Sequence, residues 1–294
     1  MVVIEKQIDT LVDDIYELLE KGSPSGTPTQ QYLDEFAEAV KQAAASYVVP
    51  REERRTLRLS AIGKPDRKLY YDIRGSGAEP EKFKGNELFK FFYGHLIEAA
   101  LLYLAKEAGH KVEDEQREVV LGGVVGHMDC KIDGVVTDVK SASTFSFRKF
   151  RDGTLEEDDA FGYMEQLAGY ATADGTNEGA FLAADKTLGH IALLRVPKDK
   201  IEGLKIEDRI EYTKEMVKSD DVPPRCYDPI PEGKSGNLAL PAGCSYCSHK
   251  FKCWEDANGG VGLRTFLYST GPKYLTHIEK EPNVMEVTFN ASRV

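Results

Sequence analysis

The stretch "GHMDCKIDGVVTDVKSAS", residues 126–143, sets Asp129, Asp138 and Lys140 among residues that otherwise read as buried strand. Asp133-Gly134 is a strong hairpin signal, because both central residues of a type I′ turn need positive φ. The flanks, residues 123–132 and 135–140, are rich in Val and Ile, as strands are. A two-residue turn predicts Asp129 opposite Asp138 and His127 opposite Lys140. Side chains alternate across a strand. One face then carries His127, Asp129, Lys131, Asp138 and Lys140. The other carries Val124, Met128, Cys130, Ile132, Val135, Thr137 and Val139, a core face. Like charges directly opposed destabilise a sheet. Two carboxylates kept in that relation predict a cation between them, and oxygen ligands suit Mg²⁺ or Mn²⁺. A lysine beside them can orient a water nucleophile or stabilise charge on a phosphoryl group. The bland alternative is a solvated polar face on a half-exposed hairpin.

A third acid comes from "YGHLIEAALLYLA". Glu98 has Phe91, Gly94, Leu101 and Leu102 as its helical neighbours. A carboxylate among apolar neighbours is costly to bury unless it binds a cation or takes several hydrogen bonds. Glu98 is therefore a candidate third metal ligand, with His95 one turn earlier as its rival. Gln166 and Tyr170 in "GYMEQLAGYA" stand four residues apart on one helical stripe with Tyr163, the spacing at which side chains meet. Such a stripe can position a phosphate, a water or a base, and it can equally be core.

The chain has 294 residues and a net charge of −11. The negative balance argues against coating nucleic acid by bulk attraction, but leaves room for a local basic groove. Residues 51–68 hold seven Lys/Arg against three acids. Within them Arg51, Arg54, Arg55, Arg58 and Arg67 are candidate phosphate contacts. No apolar run is read as approaching the ~18–20 residues of a membrane span, and no secretory signal is read at the N-terminus. The expectation is a cytoplasmic protein whose five cysteines are reduced or metal-bound rather than bridged.

Along the chain, residues 6–22 and 30–48 read as amphipathic helices, the second capped near Thr29. Residues 86–108 read as a long helix closed by Gly109. Residues 145–155 read as a loop. A helix capped by Asp158 or Asp159 runs to about Asp174. Two strands flank a turn near residues 187–189, and residues 201–218 form a charged helix. Beyond residue 219 Pro, Gly and Cys dominate, with a helix-like "GLRTFLYS" and a strand-like "NVMEVTFN". This order predicts an α/β fold with a mixed sheet. Cys244, Cys247 and Cys253 in "CSYCSHKFKCW", with Cys226 upstream, read as a metal or cluster site. Cys130 falls on the hairpin's core face and reads as a small buried hydrophobe.

Together these residues resemble the PD-(D/E)xK nuclease superfamily, in its RecB-like and phage-exonuclease branches. "GHLIE" resembles the helix motif that supplies Glu98. "GHMD" resembles the first strand aspartate, Asp129. "DVK" resembles the (D/E)xK element, Asp138 and Lys140, and "QLAGY" the Q-x3-Y motif, Gln166 and Tyr170. The motifs run in family order over about residues 55–255. The resemblance implies a restriction-endonuclease-like core with a mixed central sheet flanked by helices. It implies a helical N-terminal segment at 1–50, a nuclease core at 51–218 and a Cys-rich region at 219–294 packed on the core. It further implies a Mg²⁺- or Mn²⁺-dependent deoxyribonuclease, an exonuclease ahead of an endonuclease. Asp129, Asp138 and Glu98 would be ligands, Lys140 would act on the attacking water, and Gln166 and Tyr170 would orient substrate. The other class of reading is an inert nucleic-acid-binding module. DNA is the expected partner, with no membrane, and with a homo-oligomer or a recombination partner protein as a further expectation. The location would be the host cytoplasm for a phage protein. The cysteine triad resembles the C-terminal part of an iron–sulfur staple whose fourth cysteine lies upstream in a segment like S-x4-C-x-R-x-x-Y. Here Ser60, Arg67 and Tyr70 are present and Pro65 replaces that cysteine. Cys226 becomes the substitute fourth ligand, so a [4Fe-4S] cluster and Zn²⁺ both stay open.

Overall fold

The computed structural model describes residues 6–49, 55–78 and 85–287. The chain divides into two compact units, one of Met1–Gly63 with Phe83–Tyr212, the other of Lys64–Lys82 with Thr213–Val294. In chain order the helices are α1 (Leu11–Lys21), α2 (Gln30–Val48), α3 (Asp66–Arg74) and α4 (Gly85–Glu107). Strands β1 (Val112–Glu113), β2 (Glu118–Leu121), β3 (Val124–His127), β4 (Cys130–Ile132) and β5 (Val135–Ala142) follow. Next come α5 (Thr144–Arg151), α6 (Tyr163–Asp174), β6 (Gly179–Asp185), β7 (Ile191–Val196), α7 (Lys198–Gly203) and α8 (Ile206–Met216). The remaining strands are β8 (Ile230–Pro231), β9 (Leu238–Ala239), β10 (Arg264–Tyr268) and β11 (Gly271–His277).

The first unit is built on a five-stranded mixed sheet in the order β1-β4-β5-β6-β7, in which only β5 and β6 are parallel. A parallel pair needs a crossover connection, and α5 and α6 supply it. Alternation along β5 splits the core in two. Val135 and Val139 pack with Leu101, Leu102 and Ala105 of α4 and with Leu11 and Ile15 of α1. Val136 and Ala142 pack with Phe147 and Phe150 of α5 and with Leu167, Ala168 and Tyr170 of α6. Both faces of β5 are therefore buried, and Asp138 and Lys140 share the parity of the α6 face. The hairpin register is the expected one, with Cys130 paired to Thr137 and Ile132 to Val135. Asp133 and Gly134 both have positive φ, 49° and 82°.

The expected strand over residues 123–132 is two strands. β3 leaves the main sheet and pairs with β2, so His127 faces Glu118 rather than Lys140. At the break, Met128 N–H donates to the Arg117 carbonyl and the Asp129 carbonyl accepts from Gln116 N–H. These bonds go to the β1–β2 connection instead of β5. Met128 consequently packs in the α6-side core, apart from Cys130.

Three further expectations are corrected. Residues 145–155 are largely helical in α5, because the Ser143 hydroxyl caps Ser146 N–H and Phe147 and Phe150 bury one face. The helix over 201–218 is interrupted at Lys205, whose φ is 46°, giving α7 and α8. "GLRTFLYS" lies in β10, paired with β11, because Thr265 and Phe266 are buried within that sheet. "NVMEVTFN" contributes one bridge, Glu286 to Phe266, and its last residues lie outside the described ones. The reading of apolar runs is also revised. By length and composition alone α4 could cross a membrane, with a mean hydropathy of 1.3 over its best window. In the fold its buried residues all lie in its C-terminal half, and 17% of that window is buried. Leu101, Leu102 and Ala105 face the sheet core, and Lys106 pairs with Glu35 and Glu115.

The second unit carries a four-stranded antiparallel sheet in the order β10-β11-β9-β8. Helix α3 belongs to this unit. His249 meets Asp72 at 2.9 Å, and Tyr70 donates to the Ser219 carbonyl at 3.2 Å.

Candidate active site

Asp138 is fully buried in the centre of β5. Its Oδ2 meets the Lys140 ammonium at 2.5 Å as an ion pair, while neither carboxylate oxygen has a well-directed hydrogen bond among the described residues. A buried polar atom left unsatisfied costs ~1–3 kcal/mol, so Asp138 is not there for stability. Burial pushes its carboxyl above the usual carboxylate range; Lys140 opposes that shift, and Glu98 and Asp159 add to it. Asp129 stands just before β4. Its Oδ2 accepts from Val139 N–H at 2.8 Å, a side-chain bond where the backbone ladder has ended. Burial, then Asp138 and then Glu98 push Asp129 well above the ordinary range. Asp129 is thus crowded by Asp138, as the hairpin reading predicts, and Glu98 from α4 adds to both.

Lys140 is held from several sides. Its Nζ lies 3.5 Å from Gln166 Oε1 and 4.6 Å from the centre of the Tyr163 ring. Burial works against its charge, but Asp138 and Asp129 outweigh burial and keep the ammonium protonated well beyond the usual lysine range. The Gln166 amide donates to the Tyr170 hydroxyl at 3.3 Å. Tyr170 is buried, and burial pushes its phenol up to about 12. Helix α6 begins at Gly162, with φ 72°, and Asp159 accepts from Met164 N–H at 2.8 Å, so the expected acidic cap acts from just outside the helix. On β3, Gly126 makes room for the Tyr170 ring, since a Cβ there would lie 2.7 Å from Tyr170 Cε1.

Glu98 reaches the site from α4. Its Oε1 accepts from Gln116 Nε2 at 2.9 Å, and His95 Nδ1 lies 3.5 Å from its Oε2. Gln116 has φ 55°, a left-handed backbone that is rare for a residue other than glycine. It ties Glu98 to the Asp129 backbone, because its own N–H donates to the Asp129 carbonyl. Sequence reasoning missed Gln116, which sits in the polar run "EDEQRE" with no motif to mark it. It also missed the ring of Tyr163 beneath Lys140, although Tyr163 was part of the recognised stripe.

The six candidate residues Glu98, Asp129, Asp138, Lys140, Gln166 and Tyr170 therefore come together in the first unit. The arginines do not form one group. Arg51 and Arg54 lie outside the described residues. Arg55 and Arg58 are exposed in the first unit, where the Arg58 backbone bridges Val125. Arg67 belongs to the second unit, and its guanidinium donates to the Tyr71 hydroxyl at 3.2 and 3.3 Å. The four cysteines share that unit. Burial pushes the Cys226 thiol above its usual range, and the backbone of Lys68 and Arg67 at the start of α3 opposes that shift. Arg225 Nε donates to the Cys253 carbonyl at 3.0 Å. Cys244 and Cys253 pack in one cluster with Trp254 and Tyr274. Burial raises the Cys244 thiol to about 12, with the other three sulfurs adding to the shift. Among the described residues, no three His, Cys, Asp or Glu side chains stand as they are in an arrangement that could hold a metal ion.

No family model matches the chain, and no curated protein does. Solved structures similar to it include an alkaline exonuclease, LHK-Exo, from Laribacter hongkongensis, at 14% identity and TM-score 0.42, covering 60% of this chain and 92% of that one. A phage-related exonuclease from Haemophilus somnus 129PT is similar at 16% identity and TM-score 0.35, covering 55% and 93%. The protein SSO0001 is similar at 16% identity and TM-score 0.40, covering 74% and 94%. These are resemblances of fold only.

Proposed function

We propose that this protein is a metal-dependent DNA exonuclease of phage or recombination type. The observation that carries the reading is the buried Asp138 carboxylate, short of hydrogen bonds and crowded by Asp129 and Glu98, with Lys140 beside it. Hard oxygen donors of this kind suit Mg²⁺ or Mn²⁺, and the unsatisfied Asp138 Oδ1 is a lone-pair donor with nothing else to do. Asp129, Asp138 and Glu98 would hold the ion, and because the three carboxylates are not poised around an ion as they stand, binding would re-aim them. A bound divalent ion supplies Lewis-acid polarisation of the scissile phosphate and a more acidic water.

The chain's own residues do the rest. Lys140 keeps a full positive charge where the phosphoryl group gains negative charge. Tyr163 and Gln166 fix the direction of its ammonium, and Tyr170 fixes Gln166 in turn. Gln116 holds the Glu98 carboxylate toward Asp129. Among the candidate phosphate contacts, Arg55 and Arg58 lie in the same unit as this group.

End-labelled linear DNA, followed with Mg²⁺ and with EDTA, tests the reading. Release of labelled mononucleotides with Mg²⁺ alone is expected. Cutting of covalently closed circles at a comparable rate would replace it with an endonuclease. No hydrolysis of any DNA under Mg²⁺ or Mn²⁺ would leave a binding module.

For the cysteines, sulfur donors gathered in one unit suit a soft-metal centre. The reading is one shared centre at Cys226, Cys244, Cys247 and Cys253, a [4Fe-4S] cluster ahead of Zn²⁺ by the resemblance of the cysteine triad, while the local Cys226 favours Zn²⁺. Because the thiols are not poised around an ion as they stand, binding would re-aim them. Anaerobically purified protein should be brown. Colourless protein with one zinc per chain would establish the alternative, and native protein with four freely alkylated thiols would remove the site.

A further inference from the structure

Between Cys247 and Cys253 stands a histidine that no motif marked. His249 is 6% exposed. Its Nε2 donates to Asp72 Oδ1 of α3 at 2.9 Å, while its Nδ1 is buried with no hydrogen-bond partner among the described residues. A carboxylate only accepts, so the proton on Nε2 is fixed by Asp72. A neutral ring then has an unmatched lone pair on Nδ1, and a charged ring an N–H there without an acceptor. Either is a cost in a buried place.

The surroundings belong to the second unit and are rich in sulfur. Cys253 N–H donates to the His249 carbonyl at 2.8 Å and closes a helical turn. Side chains four residues apart on such a turn share a face. Cys247 lies two residues earlier, and its carbonyl accepts from Lys250 N–H at 3.3 Å. Burial and then Lys68 pull Lys64 below the usual lysine range, while Asp72 and then the Cys247 sulfur oppose them. The carboxylate behind His249 and the Cys247 sulfur therefore share a neighbour. The ring itself is held on Tyr71, 5.4 Å between centres, and Asp72 is held by Lys68 at 3.1 Å.

A metal-ligating histidine almost always donates its other ring N–H to a carboxylate or carbonyl, which fixes the tautomer and aims the free nitrogen. His249 and Asp72 already stand in that relation. The spacing C-x2-C-x-H-x3-C puts Cys244, Cys247, His249 and Cys253 within ten residues, with Cys226 outside the run. Closing a short loop around an ion costs less ordering entropy than closing a long one. A neutral imidazole also binds without first losing a proton, as a thiol must. Cys₃His is an ordinary closed set for Zn²⁺. We propose that His249 Nδ1, rather than Cys226, is the fourth ligand of the soft-metal centre, giving Zn²⁺ a site of Cys244, Cys247, His249 and Cys253. The proposal rests on the soft-metal reading of the cysteines, and within it favours Zn²⁺. These donors are not poised around an ion as they stand, so binding would re-aim them.

The test uses the full chain loaded with Zn²⁺. X-ray absorption at the zinc edge should count three sulfurs and one nitrogen. Alkylation read by mass spectrometry should then modify Cys226 and spare Cys244, Cys247 and Cys253. His249→Gln should weaken Zn²⁺ binding more than tenfold in competition with a chromophoric chelator. His249→Cys should restore it with a four-sulfur shell, which a merely misfolded variant would not. Asp72→Ala should weaken binding about tenfold, as loss of a ligand's outer partner does, with the nitrogen still bound. Four sulfurs and no nitrogen around the zinc of wild type would overturn the histidine ligand, and so would a His249→Gln protein within twofold of wild type. Either result leaves the cysteine centre standing. A wild-type protein that takes up no zinc and has all four thiols freely alkylated removes that centre, and the histidine ligand with it.

Discussion

Asp129→Asn should stabilise the metal-free protein while disabling it. Asn keeps a carbonyl oxygen to accept from Val139 N–H, the bond now made by Asp129 Oδ2 at 2.8 Å. What it removes is charge. Cross-strand neighbours lie ~5 Å apart, and two like charges at that distance repel by about 3 kcal/mol at an effective dielectric of about 20. The Lys140 ammonium offsets part of this, so a net gain of roughly 1–2 kcal/mol is expected, at about 2–4 °C of Tm per kcal/mol. The sign follows from the titration. Burial and the neighbouring carboxylates raise Asp129 in the folded state. A group raised on folding contributes stability that is present below its unfolded value and lost as pH rises through the folded one. Wild type and variant should therefore melt alike below about pH 3, where the carboxyl is protonated in both states, and diverge as pH rises above it with the variant ahead. Thermal melts by circular dichroism in EDTA across that range measure the gap. Adding Mg²⁺ should reverse the order, because a ligand at about 100 times its Kd adds about 2.7 kcal/mol to the form that binds it. A variant less stable at every pH, or a gap that does not change with pH, would refute the crowding argument.

Lys140→Ala should cut turnover about a hundredfold or more while leaving oligonucleotide affinity nearly intact, as single-turnover and binding assays would read. Lost affinity with unchanged turnover of bound DNA would reverse its role. Gln116→Ala should weaken Mg²⁺ binding about tenfold in calorimetric titration, the usual effect of removing a ligand's outer partner, without changing the fold's circular dichroism. Gly126→Ala should cost about 1–3 kcal/mol by overpacking and lower activity as well, because the new Cβ would drive at Tyr170 and Leu59. Cys244→Ser should lower the Tm and abolish any brown colour while leaving the acid–lysine group in place; an unchanged Tm in metal-replete protein would argue that no centre forms there.

The hairpin turn and its register, from Cys130–Thr137 to Ile132–Val135, were legible in the sequence. They follow from local chemistry: an Asp-Gly pair that favours positive φ, β-branched flanks, and a strict two-residue alternation. Helix α4 and the Gln166–Tyr170 stripe were legible for the same reason, since periodicity is a property of neighbours in the chain. Where residue 128 turns away was not legible. The break between β3 and β4 comes from the Arg117 and Gln116 backbone groups, which reach Met128 and Asp129 only after α4 and β1 have placed the intervening turn. The same holds for α5, whose two buried phenylalanines look like loop aromatics until β6 and β7 offer them a surface. The left-handed Gln116 and the ring of Tyr163 under Lys140 carry no pattern at all. Sequence fixes which groups can face each other across a turn or along a helix. Only packing decides which distant segment completes the charge balance of a buried carboxylate, because that balance depends on distances between groups with no fixed spacing along the chain.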